Sequence, residues 1–208
     1  MKNNPNLKIN PPKNPYLEPT PRIPKPGKYI SQLSLQEAQD MRLNLMNYFI
    51  DYGFFRLAKE YLKKLEKSDR KSIMMAQILV SENKFDDAVS IIEDLLEKKD
   101  KDMELLMLKA EICFLSERLF ECEEVFLYLL KLKPSQTYSY EIYLRLALTY
   151  LNRKSWEDAK ATFNKAVELK PNSSAAWMGL GVANLRLSLL KESEEALNLS
   201  KIYNPLSS

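Results

Sequence analysis

At 208 residues, with 45% hydrophobic and 28% charged side chains, the chain is long enough for one substantial domain. It contains no histidine, which removes the commonest general base and the commonest metal ligand together. Charges break every apolar run within about ten residues, short of the roughly 20 that a bilayer requires, and no apolar stretch follows Met1-Lys2-Asn3-Asn4-Pro5. Neither a membrane span nor a secretory signal is expected.

The net charge of +3 is unevenly placed. Residues 1–30 hold six cations (Lys2, Lys8, Lys13, Arg22, Lys25 and Lys28) against the single Glu18, so this stretch carries +5 and the remainder −2. Eight of the eleven prolines also fall before Tyr29. Proline lacks an amide donor and fixes φ, so residues 1–32 are expected to form an extended or disordered basic arm with polyproline character. Arg22, Lys25 and Lys28 are its candidate docking residues, on an acidic surface of this chain or another. Pro21-Arg22-Ile23-Pro24 fits a loose PxxP pattern of the kind that arises readily in proline-rich leaders. The net charge is too small, and the helices too free of basic stripes with interleaved aromatics, to point to nucleic acid.

From Leu33 to Ser208 the pattern changes to apolar residues at helical spacing, and a helical-repeat domain is expected over 33–208. Ser34-Leu35-Gln36-Glu37 has the form of a capping box and should open the first helix. Asn83-Lys84-Phe85-Asp86 and Ser155-Trp156-Glu157-Asp158 have the same form and should open later ones.

Comparison of the chain with itself carries the strongest signal. Tyr143 and Trp177, Leu146 and Leu180, Ala147 and Gly181, Phe163 and Leu197, and Pro171 and Pro205 all lie 34 residues apart. Pro134 and Pro171 are 37 apart, which places about three extra residues around Ser135–Tyr140. A further step of 34 aligns Ala110 with Ala76, Cys122 with Ala88 and Phe126 with Ile92, and a step of 30 sets Ala58 under Ala88 and Leu62 under Ile92. The units so defined run over about 34–67, 70–98, 102–132, 138–169 and 173–203. Ala76, Ala110, Ala147 and Gly181 are placed where the two helices of a unit cross, with Ala88 and Ala159 opposite them.

The residues Tyr143, Leu146, Ala147, Tyr150, Ala159, Phe163, Ala166 and Pro171 together resemble the tetratricopeptide-repeat family, whose period is 34 residues per helix-turn-helix unit. The last unit matches at Trp177, Leu180, Gly181 and Pro205. It has Asn184, Ser193 and Ser200 where the family prefers an aromatic and two alanines, so its second helix is expected to pack less tightly. The resemblance implies an all-α, right-handed α-solenoid of about five units. It also implies that the first helix of each unit lines a concave surface.

The register then names a protein-binding groove. It runs from Asn44 and Asn47 through Ile73, Met74, Gln77 and Val80 to Met107, Leu108 and Glu111. Leu144, Arg145 and Leu148 continue it, and Met178, Val182 and Arg186 close it. Adaptable methionines among apolar neighbours suit capture of a helix or an extended peptide; burial of several of these side chains between units is equally compatible. One subgroup of the family binds acidic chaperone termini through lysines, asparagines and an arginine. Arg145 fits one such slot, but Met107, Leu108 and Glu141 stand at others, so that reading does not follow.

No catalytic, cofactor or metal site can be assembled. Glu121, Glu123 and Glu124, like Glu192, Glu194 and Glu195, stand beside lysines and are expected on solvated faces. Cys113 and Cys122 fall in small-residue packing columns. They are read as core thiols of a reduced, intracellular protein, and no disulfide framework is implied. Gly179-Leu180-Gly181 belongs to the repeat and not to a phosphate loop.

The last two units resemble more narrowly the carboxyl-terminal repeats of the cilia- and flagella-associated proteins, through Tyr143–Leu146, Trp177–Ala183, Glu192–Leu197 and Tyr203-Asn204-Pro205. That resemblance implies a structural role in the axoneme of motile cilia, with proteins of the central apparatus as partners, and neither small-molecule substrate nor membrane. On that comparison the chain is expected to be a fragment or shortened paralogue. Leu197, Leu199, Ile202 and Tyr203 on its last helix suggest a covered end, and the isolated chain is expected to oligomerise or aggregate. A soluble adaptor or co-chaperone that reversibly binds peptide segments is the alternative.

Overall fold

The computed structural model describes residues 35–204, with side chains from residue 40 onward. The arm expected over 1–32, with Arg22, Lys25, Lys28 and the PxxP match, lies outside the described residues, as does the cap expected at Ser34. The chain divides at Arg42 and Leu43 into two units, and only residues 35–42 of the first are described. The second, from Leu43 onward, holds the packed core.

Ten helices follow one another among the described residues, with no strand. They are α1 (Leu35–Asp51) and α2 (Phe55–Leu62), α3 (Asp69–Ser81) and α4 (Phe85–Leu96), α5 (Met103–Leu115) and α6 (Leu119–Lys131), α7 (Gln136–Asn152) and α8 (Trp156–Leu169), and α9 (Ser174–Arg186) and α10 (Leu190–Ile202). From α2 onward each helix packs on the next, and α1 meets α2 and α3 in a shared core cluster, so the chain is an all-α solenoid of helix-turn-helix units. The helix in each segment follows from spacing. In α8, for example, Ala159, Phe163 and Ala166 recur on one face and are buried, while Glu157, Asp158 and Glu168 on the other face stay in water.

The two kinds of helix in a unit begin differently. From α3 onward, each first helix carries a side-chain cap. Ser68 accepts from the Lys71 amide, Asp102 from Glu104 and Leu105, Ser135 from Tyr138, and Ser173 from Ala176. The second helices α2, α4, α6, α8 and α10 have no side-chain cap. Helices do start after Asn83-Lys84 and at Ser155-Trp156 as the pattern predicts, but neither the Asn83 nor the Ser155 side chain caps them.

The reason is the turn inside each unit, where one residue adopts a left-handed backbone. These residues are Gly53, Asn83, Glu117, Lys154 and Ser188, with φ between 59° and 77°. The amide after each reaches back five residues, from Phe54 to the Phe49 carbonyl (2.7 Å), Lys84 to Leu79 (2.8 Å), and Arg118 to Cys113, Ser155 to Tyr150 and Leu189 to Asn184 (2.9 Å each). This is the Schellman closure of a helix end. It leaves so tight a turn that the outgoing helix begins without room for a cap.

The core consists of four clusters, each built from consecutive helices. Leu43, Met46 and Phe49 of α1 meet Ala58 and Leu62 of α2 and Met74 and Ile78 of α3. The next cluster spans α3 to α5 around Ile92, the third spans α5 to α7 around Phe126, and the fourth spans α7 to α10 around Phe163. Phe126 and Phe163 are 1% and 0% exposed, and each such burial contributes about 1.5–3 kcal/mol.

The last unit does not pack loosely in the way its serines lead one to expect. The Ser193 hydroxyl donates to the Gly181 carbonyl at 2.8 Å, and Ser200 and Ser174 each donate to the other's carbonyl, at 3.0 and 2.9 Å. Hydroxyls placed against backbone carbonyls hold α10 on α9 where alanines would have relied on contact alone.

Candidate functional site

The three-residue surplus around Ser135–Tyr140 lengthens the start of α7, and the lengthened end walls a cavity. α7 has 17 residues where α3, α5 and α9 have 13, and its extra turn lies at the amino-terminal end. The turn is tied to its surroundings, with Gln136 Nε2 donating to the Leu169 carbonyl at 3.3 Å and the Tyr140 and Ser173 hydroxyls 2.7 Å apart. Between this lengthened start and the α5 residues Glu104, Met107, Leu108 and Glu111 lies a cavity of about 670 Å3. A smaller cavity of about 280 Å3 is walled by Phe114, Leu115, Phe126 and Leu148. Glu111 lines both, and Arg145 stands in the wall of the smaller one.

Arg145 is held by two carboxylates. Its Nη1 lies 2.6 Å from Glu111 Oε1 across to α5, and its Nε donates to Glu141 Oε1 at 2.9 Å one turn back on α7. The arginine side chain is 36% exposed, so each pair contributes on the order of 0–1 kcal/mol. Its larger consequence is electrostatic, because Nη1 and Nε of the guanidinium each face a carboxylate. Glu104 has no ion-pair partner among the described residues, and Lys170 leans over the Tyr140 ring at 4.9 Å from its centroid.

The groove residues expected from the register are not brought together as one surface. Met107, Leu108 and Glu111 line the larger cavity, and Glu111, Arg145 and Leu148 the smaller. Asn44, Gln77, Met178, Val182 and Arg186 are exposed but line neither, and the half-buried Asn47 lines neither also. Asn44 accepts a hydrogen bond from Arg70 at 2.6 Å, and Arg186 sits over the Trp156 ring. Ile73, Val80 and Leu144 are half-buried against the core clusters. Met74 is a correction: at 2% exposure it faces α1 and α2 inside the first cluster and cannot line a groove.

Glu104, Tyr138, Tyr140, Phe114 and Leu115 are cavity residues that the register did not name. The 37-residue step was the signal for Tyr138 and Tyr140, since added residues must lengthen a helix or a loop; Glu104, Phe114 and Leu115 lie on α5, outside it.

Glu123 is also not simply a solvated residue. It forms an ion pair with Arg153 and accepts from the Tyr150 hydroxyl at 2.9 Å, which ties α6 to α7 and its turn. Arg153 in turn covers the Phe120 ring, 3.9 Å from its centroid. Glu192, Glu194 and Glu195 are exposed, as expected. Cys113 and Cys122 are both buried. Burial, with Glu121 nearby, pushes the Cys113 thiol up to about 12, and burial raises Cys122 as well. Among the described residues no group of three histidine, cysteine, aspartate or glutamate side chains is placed to hold a metal ion, and no helix is long and apolar enough to cross a membrane.

Comparison with known proteins follows the same outline. A family model described as ChAPs (Chs5p-Arf1p-binding proteins) matches residues 41–167, and one described as Tetratricopeptide repeat matches residues 144–204. Human Cilia- and flagella-associated protein 70 is 29% identical over 132 residues, 64% of this chain and 12% of that protein. The protein of the same name from Macaca fascicularis is 44% identical over 63 residues, 30% of this chain and 6% of that protein. The chain therefore spans only a small part of the length of these curated relatives. Among solved structures, Pseudomonas aeruginosa PilF superposes with a TM-score of 0.69 at 17% identity, covering 81% of this chain and 78% of that one. MamA from Desulfovibrio magneticus RS-1 superposes with a TM-score of 0.67 at 19% identity, covering 79% and 94%. At such identities these two structures speak for the fold alone. The paired helices, the 34-residue columns and the two family models, of which that of the ChAPs alone takes in more than half of the sequence, show that the chain belongs to the tetratricopeptide-repeat family.

Proposed function

We propose that this chain is a non-catalytic protein–protein interaction scaffold, a structural part of a large assembly in the ciliary axoneme, with proteins of the central apparatus as its partners. The observation that carries the scaffold reading is the pair of adjoining cavities along α5 and α7 on a repeat solenoid, a concave surface with exposed Leu148. The ciliary placement is supported by the shared name of the two curated relatives. A repeat solenoid suits such a role physically. Each unit contacts only its neighbours, so a long rigid surface is obtained without a large single core.

Affinity purification of the tagged chain from its native cell, with cross-linking and mass spectrometry, tests the reading. Cross-links from the α5 and α7 faces to axonemal proteins, retained through salt extraction, are the expected outcome. Recovery of chaperones or trafficking factors that wash out with salt would replace it with the reversible adaptor.

A further inference from the structure

The two cavities differ in chemistry although they share a wall. The larger is bordered by the carboxylates of Glu104, Glu111 and Glu141. Two of these already engage Arg145, each through one oxygen (Oε1), so that the second oxygens of Glu111 and Glu141 and the whole Glu104 carboxylate have no donor among the described residues. Arg145 already turns its Nη1 and its Nε to these two glutamates. Lys170 lines the same cavity, with its ammonium over the Tyr140 ring. The smaller cavity, in contrast, is walled mainly by Phe114, Leu115, Phe126 and Leu148, with Leu115 56% and Leu148 40% exposed. An acidic compartment with spare acceptors thus adjoins an apolar one, and the added turn of α7 walls only the acidic side.

We propose that these adjoining cavities take an extended segment of a partner protein in which a lysine or arginine stands within a few residues of a large aliphatic or aromatic side chain. The cation faces Glu104, Glu111 and Glu141, and the apolar side chain lies against Phe114, Leu115 and Leu148. Three carboxylates with unused oxygens match the donors of an ammonium or guanidinium, which carry no acceptor of their own. The apolar neighbour contributes affinity through burial, and the charge sets which segments are accepted. The inference rests on the reading of this chain as a protein-interaction scaffold and names the chemistry of what it holds.

The test uses the full chain, immobilised and panned against a display library of random linear peptides. Enriched peptides are expected to pair lysine or arginine with a nearby Leu, Ile, Phe or Met. Their affinity should fall about tenfold for Glu104→Lys, the loss expected when an attractive contact becomes a repulsive one at an exposed site, and it should weaken with added salt. Leu148→Asp should abolish enrichment. Glu104 and Leu148 are surface residues, and unchanged helical circular dichroism verifies that each variant folds; the neutral pair Glu104→Gln with Glu141→Gln gives an independent loss without charge reversal. Enrichment of peptides without cations that still depends on Leu148 would overturn this inference and leave the interaction groove standing. No enrichment that responds to either substitution would overturn both.

Discussion

The ring of Phe163 lies where a side chain on Gly179 would have to be. A Cβ built on Gly179 comes within 2.2 Å of two ring carbons of Phe163, which is itself fully buried. The glycine in α9 is thus the socket for the large aromatic of the preceding unit, and the α8–α9 interface depends on the pair. Gly179→Ala should cost about 1–3 kcal/mol through overpacking. Replacing Phe163 by Leu in the same chain should return part of that loss, because the smaller side chain vacates the place of the new methyl. Urea denaturation of the two single variants and the double variant measures the coupling. Strictly additive costs would contradict the contact.

Glycine is needed less often where it is most expected. Of the five left-handed residues that close the first helix of each unit, only Gly53 is a glycine; the others are Asn83, Glu117, Lys154 and Ser188. A left-handed residue with a Cβ costs about 1–2 kcal/mol, part of which glycine returns as chain entropy in the unfolded state. Glu117→Gly, Lys154→Gly and Ser188→Gly should each raise stability by about 0.5–1 kcal/mol, and Gly53→Ala should lower it by about 1 kcal/mol. Thermal melting of the four variants decides this, and a loss at Lys154→Gly would refute it.

These positions also show what could and could not be read in advance. They stand 30, 34, 37 and 34 residues apart, the same steps that align the alanine and aromatic columns, so the order and spacing of the helices were legible from side-chain packing alone. The turns were not. Asn83 and Ser155 have capping side chains, and nothing local signals that backbone closure of the previous helix displaces their function. The groove suffered from a related ambiguity. Ile73, Met74 and Gln77 are near neighbours on one helix, and a rotation of one position decides whether a side chain faces solvent or the preceding unit. Met74 turned inward because α1 and α2 present Leu43, Met46 and Leu62 to it. The extra turn of α7 was visible as a longer step, but its effect as a cavity wall depends on what α5 places opposite.

The interface between the first two units of the solenoid carries an acid-sensitive link. Glu82 accepts from Lys59 at 2.7 and 2.8 Å and from Lys84 at 2.8 Å. These hydrogen bonds, Lys59 first, bring its carboxyl down from 4.5 to about 2. A depressed carboxylate stabilises the folded chain above its unfolded value, and that contribution fades as pH falls from about 4.5 towards 2. The melting temperature of the unmodified chain should therefore fall more steeply over that window than that of Glu82→Gln. Parallel curves for the two proteins would remove the link.

Both thiols should be silent in the folded protein. The thiolate is the reactive form, and at pH 8 Cys113, held at about 12, and Cys122, also raised, are protonated as well as buried. Labelling by an aromatic disulfide reagent should proceed only as fast as the chain unfolds and should accelerate in step with urea. Rapid modification of one cysteine in native buffer would contradict its place in the core.

The sharpest check of the repeat register is at Ala159, which is fully buried in the same cluster as Ala147 of α7. Its counterparts in the neighbouring units are Cys122 and Ser193, 37 residues before it and 34 after. Both point a heteroatom at the equivalent carbonyl of the first helix, Cys122 Sγ to Ala110 at 3.3 Å and Ser193 Oγ to Gly181 at 2.8 Å. The matching carbonyl for position 159 belongs to Ala147. Ala159→Ser should thus be accommodated at a cost within about 1 kcal/mol, its hydroxyl satisfied by a carbonyl that the crossing already presents. Ala159→Arg should cost several kcal/mol, since the site offers neither volume nor a counter-charge. Equal losses for serine and arginine, or near-normal melting of the arginine variant, would show that the crossing lies elsewhere on α8.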